Sequence, residues 1–180
     1  MLLDRYPQRV TLQDGTELVL KAMNKQDERT LMDFFEDLHD SDRLYLRNDV
    51  SNYRVVRDWF NNLNYNRVFP LLALHEGRIV ANATLHRKPF GWMRHVGETR
   101  IVVSPSFRKR GLARVMFTEI IYTAEEAGLE KLTAEMAVTQ VGAIEVFRKM
   151  GFKDEAILKD YIRDAKGEVH DLLIMTLDIG

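Results

Sequence analysis

A strand, a turn and a helix follow one another directly in residues 101–127. The Ile-Val-Val run at residues 101–103 is β-branched and favours a strand, and the Ser-Pro-Ser run after it favours a turn. Beyond Gly111, apolar side chains recur at three- and four-residue spacing, which predicts an amphipathic helix. These side chains are Leu112, Val115, Met116, Ile120, Ala124 and Ala127. The segment therefore predicts a layered α/β domain with a turn at the N-terminus of a helix.

This turn has the chemistry of a phosphate-binding site. The first N–H groups of a helix lack partners within the helix, and the helix dipole adds partial positive charge there. Gly111 has no Cβ, so a ligand can approach its backbone closely. We expect an anionic ligand to bind Arg108, Lys109, Arg110, Gly111, Leu112, Ala113 and Arg114. A nucleic-acid patch is the competing use of these charges, but no aromatic residues are interleaved among them.

Composition limits the class of protein. The 180 residues are 46% hydrophobic and 29% charged, with a formal net charge of −1, which predicts one soluble domain over residues 1–180 without nucleic-acid partners. There is no cysteine, so disulfides, thiolate metal sites and a cysteine nucleophile are excluded, and we expect no metal. The Met1–Arg5 start is not typical of a secretory signal, and no apolar run reaches the roughly 20 residues of a membrane span. We expect a cytoplasmic protein without a membrane partner.

The rest of the chain alternates between strand and helix patterns. A hairpin is predicted across Asp14-Gly15, and helices are predicted after Asn24 and from Asn52 to Leu63. Further strands are expected at 69–74, 78–85, 93–103, 132–136, 156–162 and 169–177, with a short helix at 142–150. We expect a mixed sheet with helices on both faces.

Three motifs resemble a known family. Arg108-x-x-Gly111-x-Ala113 is similar to the Arg/Gln-x-x-Gly-x-Gly/Ala signature of the GNAT superfamily of acyl-CoA-dependent N-acetyltransferases, and Gly151-Phe152 resembles the pair after its last helix. The Asp-Gly hairpin and the run Ser41, Arg43, Tyr45, Leu46 and Arg47 resemble the opening of the Pat-type protein-lysine acetyltransferase domain, although Lys21-Ala22-Met23 replaces an Arg-Pro-Ile-like sequence. The resemblance implies an α/β (α+β) fold with a central, mixed, mostly antiparallel twisted sheet of about seven strands.

The same resemblance implies a site for acetyl-CoA (coenzyme A) as acyl-donor cosubstrate. The basic turn would cradle the pyrophosphate, and the backbone of Ile101, Val102 and Val103 would pair with pantetheine and the thioester oxygen. Phe147 would pack against the pantetheine arm or the core.

Glu98 is the candidate general base, since Pat-type domains place their catalytic glutamate ten residues before the signature arginine. An acid in an apolar strand is expected to be desolvated, which would raise its pKa toward the working pH. The competing interpretation is a solvent-facing Glu98 paired with Arg100 or His95, and Glu135 on the neighbouring strand is the reserve candidate.

The chain departs from the family where a general acid is usual. The tyrosine often found four residues before Gly-Phe is Phe147, and the asparagine near the start of that helix is Gln140 or Thr139. A thiol with a reference pKa of about 8.5 can leave as the anion near neutral pH, so activity does not require the acid. Whether Tyr161 substitutes is open.

Taken together, these residues predict an N-acetyltransferase that moves an acetyl group to a primary amine by direct attack in a ternary complex. The amine is a protein lysine, a protein N-terminus or a small molecule, selected by loops such as Ser41–Ser51 and Lys88–Trp92. The alternatives are a non-catalytic acyl-CoA-binding regulatory module, favoured by Phe147, and an interaction domain without a CoA site. A homodimer formed through an edge strand is left open.

Overall fold

Eight strands form one sheet in the computed structural model, which describes residues 2–180. Met1, the first residue of the Met1–Arg5 segment that is not typical of a secretory signal, lies outside the described residues. The strands are β1 (Gln8–Thr11), β2 (Glu17–Ala22), β3 (Val68–His75), β4 (Arg78–Arg87), β5 (Val96–Val103), β6 (Lys131–Ala137), β7 (Lys153–Arg163) and β8 (Val169–Asp178). Their order is β1-β2-β3-β4-β5-β6-β8-β7, and every neighbouring pair is antiparallel except β5–β6.

The helices are α1 (Glu28–Glu36), α2 (Asp40–Arg43), α3 (Tyr53–Asn61), α4 (Leu112–Glu126) and α5 (Val141–Lys149), with short 3-10 turns at Leu2–Arg5, Lys25–Asp27 and Pro105–Phe107. The longest helix, α4, has 15 residues. Within residues 2–180, no helix combines the length and the apolar character that crossing a bilayer would require.

Helices cover both faces of the sheet, as the sequence predicts. One buried cluster joins α4 and α5 to the sheet, and the other joins α1 and α3 to the opposite face. Successive strand residues point to opposite faces, so Leu71 packs in the first cluster and Leu72 in the second. The expected mixed, mostly antiparallel fold is confirmed, with eight strands instead of about seven.

Hydrogen bonds explain two of the differences between the predicted and the observed element boundaries. The predicted strand from Met93 begins at Val96, because residues 91–96 turn: Arg94 N–H donates to the Gly91 carbonyl and Val96 N–H to the Met93 carbonyl. Asn24 caps the 3-10 turn that precedes α1 instead of α1 itself, accepting from the Gln26 N–H.

The central strands β5 and β6 separate along their length. They pair in parallel only from Val96–Lys131 to Glu98–Thr133. Beyond this level β5 pairs only with β4, and β6 pairs only with β8. A gap therefore opens between the two middle strands of the sheet, beginning at Glu98.

Candidate active site

The open edge of β5 forms one wall of this gap. Ser104 N–H donates to the Val80 carbonyl, so Ser104 and Val80 are a hydrogen-bonded pair between β5 and β4. Such pairs occur at every second residue of an antiparallel ladder, so Val102, two residues earlier, is also hydrogen-bonded to β4. The backbone groups of Ile101 and Val103 therefore point away from β4, toward the gap. Of the three strand residues predicted to bind the cofactor, two present their backbone to the open edge, and Val102 presents its backbone to β4.

The basic turn and the N-terminus of α4 lie where this edge ends. Gly111 adopts the left-handed conformation (φ 83°, ψ 0°) that starts the helix, and the first bond of the helix runs from Val115 N–H to the Gly111 carbonyl. The N–H groups of Leu112, Ala113 and Arg114 precede that bond, so they are available to a ligand. A Cβ built on Gly111 would meet no atom within 4 Å, so the space above this turn is open. This arrangement fits a phosphate group.

The side chains of the turn have protein partners. Arg108 contacts Asp42 at 2.8 Å and donates to the Val103 carbonyl at 3.2 Å. Arg110 donates to Asp14 at 2.6 Å and to the Thr16 hydroxyl. Hydrogen bonds from Thr16 and Arg110 lower the pKa of Asp14 to about 2. Arg108 and Arg110 are thus each paired with a carboxylate of the same chain, Asp42 and Asp14 respectively.

Lys109 and Arg114 are exposed, whereas the Leu112 side chain is buried in the core. Ala113 is half-buried. Leu112 can therefore reach a ligand only through its backbone, and the two exposed cations are free to approach an anion. That Lys109 and Arg114 bind the cofactor stays a prediction.

Glu98 lies at the level where β5 and β6 separate. Its carboxylate accepts a hydrogen bond from Arg100 Nε at 2.8 Å and lies 2.9 Å from an Arg47 nitrogen, with a quarter (25%) of the side chain exposed. Burial raises the pKa of Glu98, but the hydrogen bond and charge of Arg100 and the charge of Arg47 lower it by more, so the pKa lies below its ordinary 4.5. The expectation of a raised pKa is wrong, because two guanidinium groups outweigh desolvation.

Arg47 joins two acids across the gap. One guanidinium nitrogen faces Glu98 on β5, and the other lies 2.7 Å from Glu135 on β6. In the sequence, Arg47 is marked only by a family resemblance, and Glu135 is only a reserve candidate for the base. Their contact links positions 88 residues apart, which no local pattern reveals.

A cavity of about 470 Å³ lies on the same face of the sheet, under α1 and α3. Its walls are apolar, from Phe35, Leu46, Trp59 and Leu63, and its floor is formed by strand residues that include Thr84, His86 and Arg100. His86 and Glu98 are cross-strand partners, so they share this face.

His86 is neutral in this setting. Burial, followed by the charge of Arg100, lowers its pKa from 6.5 to about 4. Its Nε2 lies 3.0 Å from the Thr84 hydroxyl. The alternation Asn82, Thr84, His86 is the sequence signal that these side chains share one face of a strand.

Phe147 lies in the core. It is 5% exposed and packs edge-on against Phe117 at 4.9 Å and Phe152 at 5.2 Å between ring centroids. Of the two environments left open for this residue, the structure shows the core, and contact with a cofactor stays a prediction.

Tyr161 is 64% exposed on β7. Because β6 and β8 lie between β7 and β5, Tyr161 is about 14 Å from β5 at the usual strand spacing. The structure therefore does not bring Tyr161 to the open edge of β5. Tyr45, which sequence analysis did not consider for this role, donates to or accepts from Thr139 Oγ1 at 3.0 Å.

The two loops expected to select the acceptor lie in different places. Leu46, Arg47, Asn48 and Val50 of the first loop line the cavity of about 470 Å³. Lys88, Pro89 and Phe90 of the second loop line a neighbouring cavity of about 780 Å³, which shares Asn64 and Arg67 with the first. Only the first loop therefore borders the cavity beside Glu98.

Asp164, Glu168 and His170 are the residues within 2–180 whose ligand atoms lie close enough together to hold an ion. Asp164 already accepts hydrogen bonds from the backbone N–H groups of Lys166 and Glu168, and lies 2.8 Å from His170. This group belongs to the β7–β8 hairpin and is not part of the gap. The expectation that no metal is required stays a prediction.

Comparison with known proteins gives consistent matches. A model described as "Acetyltransferase (GNAT) family" matches residues 29–152. A ribosomal protein bS18-alanine N-acetyltransferase of Salmonella typhimurium is 33% identical over 80 residues, which cover 44% of this chain and 53% of that protein. The chain thus spans about half the length of the curated relatives it matches.

Two solved structures share the fold. The GNAT domain of S. lividans PAT is 19% identical with a TM-score of 0.80, and the match covers 95% of this chain and 96% of that one. The protein yncA from Salmonella typhimurium, solved with its cofactor acetyl-CoA, is 18% identical with a TM-score of 0.76, covering 91% and 94%. At these identities the likeness establishes the fold alone.

Proposed function

The chain belongs to the acetyltransferase (GNAT) family, and we propose that it moves an acetyl group from acetyl-CoA to a primary amine by direct attack in a ternary complex. The observation that carries this proposal is the open edge of β5. It runs from Glu98 to the anion-binding turn at Gly111, and its five residues after Glu98 span about 17 Å at the usual rise of a strand. An extended ligand with an anionic end and a reactive end fits this edge.

The chain's own groups have separate tasks along the edge. The N–H groups at the start of α4 bind phosphate oxygens, with help from the helix dipole. The backbone of Ile101 and Val103 holds the arm of the ligand and offers N–H donors to an oxygen that gains negative charge. Acetyl-CoA, when bound, supplies an activated acyl group on a thiol leaving group.

Glu98 handles the acceptor's charge and proton. Because its pKa lies below the ordinary value, the carboxylate is ionised at neutral pH and attracts an ammonium group. The amine must lose a proton before its lone pair can attack, and a carboxylate at the end of the open edge receives that proton or passes it to water. The neutral His86 beside it adds no competing positive charge.

We propose that the acceptor is a primary amine with an apolar stem. The cavity next to Glu98 has apolar walls and is bordered by the loop that carries Arg47. A lysine side chain or a small alkylamine fits this chemistry. An N-terminal amine is supported by the relatives that act on the alanine of ribosomal protein bS18. An assay of acetyl transfer therefore has to compare these three acceptor classes.

Release of free CoA from acetyl-CoA, read with a thiol reagent, tests the proposed function. The protein has no cysteine, so it adds no thiol background. We expect release that depends on one class among lysine peptides, alanine-initiated peptides and small alkylamines. The control replaces the active acceptor class with each of the other two classes at the same concentration.

The regulatory acyl-CoA-binding module is the second candidate, and one observation favours it. The position of the usual tyrosine is a buried phenylalanine without a hydroxyl group, Phe147. This candidate predicts acetyl-CoA binding without CoA release for any acceptor. That result would contradict the proposed transfer reaction.

The pH dependence of kcat/KM provides an independent check. A lowered pKa means that Glu98 is ionised throughout the range above its ordinary 4.5, so its protonation should cause no loss of rate between pH 5.5 and 8. Because the acceptor's proton leaves through Glu98 to water, the rate should instead rise with pH as the acceptor loses its proton. It should level near pH 8 for an α-amine, or above pH 10 for an alkylamine, with reference pKa values of about 7.7–8.0 and about 10.4.

An acidic limb between pH 6 and 7 that disappears in Glu98→Gln would contradict this expectation. It would show that the working carboxyl has a raised pKa, as the sequence alone suggested.

A further inference from the structure

Residues 42–47 lie across the gap between β5 and β6, and we call this segment the strap. Its polar contacts beyond residues 39–47 reach several elements around the gap. They are Asp42 to Arg108, the Leu44 carbonyl to Ala165 N–H, Tyr45 to Thr139, and Arg47 to both Glu98 and Glu135.

The carboxylates of Glu98 and Glu135 face one position in the gap. Glu98 is level with Thr133, the last paired residue of β6, and Glu135 is two residues further, so it shares a face with Thr133. Arg47 nitrogens lie 2.9 Å from Glu98 and 2.7 Å from Glu135. All three side chains are between a quarter and about a third exposed (35%, 25% and 31%). Two acids thus share a single cation at a position that solvent can reach.

We infer that Glu98 and Glu135 together form the subsite for the acceptor's ammonium group, and that Arg47 fills this subsite until an acceptor displaces it. An alkylammonium carries the same charge as the guanidinium and has three donors, enough to bind both carboxylates. The inference rests on the proposed function and extends it to a residue, Glu135, that binds the acceptor without being the base.

At the other end of the strap an acid, Asp42, pairs with a basic residue of the proposed donor site, as Arg47 pairs with the acids of the acceptor subsite. Asp42 places one carboxylate oxygen 2.8 Å from Arg108, where the anionic part of acetyl-CoA is proposed to bind. Its second oxygen, Oδ2, is buried without a hydrogen-bond partner among residues 2–180. A buried polar atom without a hydrogen-bond partner is destabilising, so an anion that makes more hydrogen bonds can replace Asp42 on Arg108. Because Asp42 and Arg47 belong to one short segment, displacement of Asp42 would also loosen Arg47.

Displacement of Arg47 also strengthens the base. The charged and titratable groups that face Glu98 are Arg47 from the strap, Arg100 from β5, His86 from β4 and, through Arg47, Glu135 from β6. Once Arg47 has left and the bound amine has lost its proton, only Arg100 remains as a cation. Burial, which raises the pKa of Glu98, then has more weight, so the carboxylate accepts a proton more readily.

Binding of n-butylammonium to the CoA-saturated protein, measured by calorimetry, tests the subsite without requiring turnover. We expect Arg47→Met to bind it about tenfold more tightly than the unchanged protein, because the competing cation is gone. Glu135→Gln in the Arg47→Met protein should remove most of this gain. Arg43→Met is the matched control, since Arg43 lies in the same segment but pairs with Asp40, and its affinity should not change.

A soluble mimic of the side chain checks the displacement itself. n-Butylguanidinium, titrated directly, should bind about tenfold more tightly to Arg47→Met than to the unchanged protein. Arg47→Lys keeps an internal cation and should behave like the unchanged protein. If Arg47→Met does not fold, Glu135→Gln alone should still weaken n-butylammonium binding about tenfold.

Coupling through the strap has its own readout. CoA should increase the affinity of the unchanged protein for n-butylammonium, and Asp42→Asn should give the same affinity with and without CoA. Equal or weaker binding in Arg47→Met, or no effect of Glu135→Gln, would overturn the subsite. Equal affinity of the unchanged protein with and without CoA would overturn the coupling. CoA does not react, so these outcomes are separate from a failure of acetyl transfer.

Discussion

Glu98→Gln is expected to lower kcat by about 10²- to 10⁴-fold, the usual range for loss of a general base. Glutamine keeps the size of the side chain and can still accept the hydrogen bond that Arg100 donates. It carries no charge and cannot take a proton, so the ternary complex forms but the amine is not activated. The affinity for acetyl-CoA should stay unchanged, because the turn proposed to bind its phosphates lies at the other end of the open edge.

Steady-state kinetics with acetyl-CoA titration and a thermal melt check this prediction. Glu17→Gln is the control, since Glu17 is exposed on β2 and three positions from β5 in the sheet. Turnover like that of the unchanged protein would show that Glu98 is not the base. Glu135→Gln should raise KM for a cationic acceptor while kcat is kept, whereas Glu98→Gln should raise KM and also lower kcat.

Gly111→Asp is expected to weaken acetyl-CoA binding about 100-fold. The substitution places a negative charge at the N-terminus of α4, where the phosphate groups are proposed to bind. Gly111 has a φ of 83°, and an added Cβ would meet none of the surrounding atoms within 4 Å, so the new side chain has open space where the ligand is proposed to bind. Aspartate and asparagine tolerate this left-handed conformation better than most residues, so the helix should still form.

Two variants separate charge from shape and strain. Gly111→Asn has nearly the same size without the charge and should lose much less affinity than Gly111→Asp. Gly167→Asp carries the same backbone strain (φ 86°) in the β7–β8 turn and should bind acetyl-CoA normally. Calorimetric titration with acetyl-CoA measures all three. If Gly111→Asp binds as tightly as Gly111→Asn, the phosphates do not bind at this helix end.

The electrostatics of Glu98 could not be predicted from the sequence. Its position in an apolar strand correctly indicated partial burial, and Arg100 was foreseen as a possible partner. The direction of its pKa shift depends on Arg47 as well, which is 51 positions away and reaches Glu98 only through the strap. A pKa responds to charges within a few ångströms in space, whatever their separation along the chain.

The environment of Phe147 was left open for the same reason. Its place on the apolar stripe of a short helix allowed both a core contact and a cofactor contact. The structure packs it against Phe117 of α4 and Phe152 after α5. This arrangement depends on how two helices meet, which helical periodicity does not specify.

The sequence by itself determined the local units: the strand that ends in a basic turn, the glycine at which α4 starts, the turns between strands and the apolar faces of the helices. These follow from backbone preferences and from periodicity over a few residues. Only the tertiary structure decided that β5 and β6 separate after Glu98, that Ile101 and Val103 face the gap, and that Arg47 joins Glu98 to Glu135. Strand pairing and ion pairs across the sheet arise between distant segments, so their geometry exists only once the chain has folded.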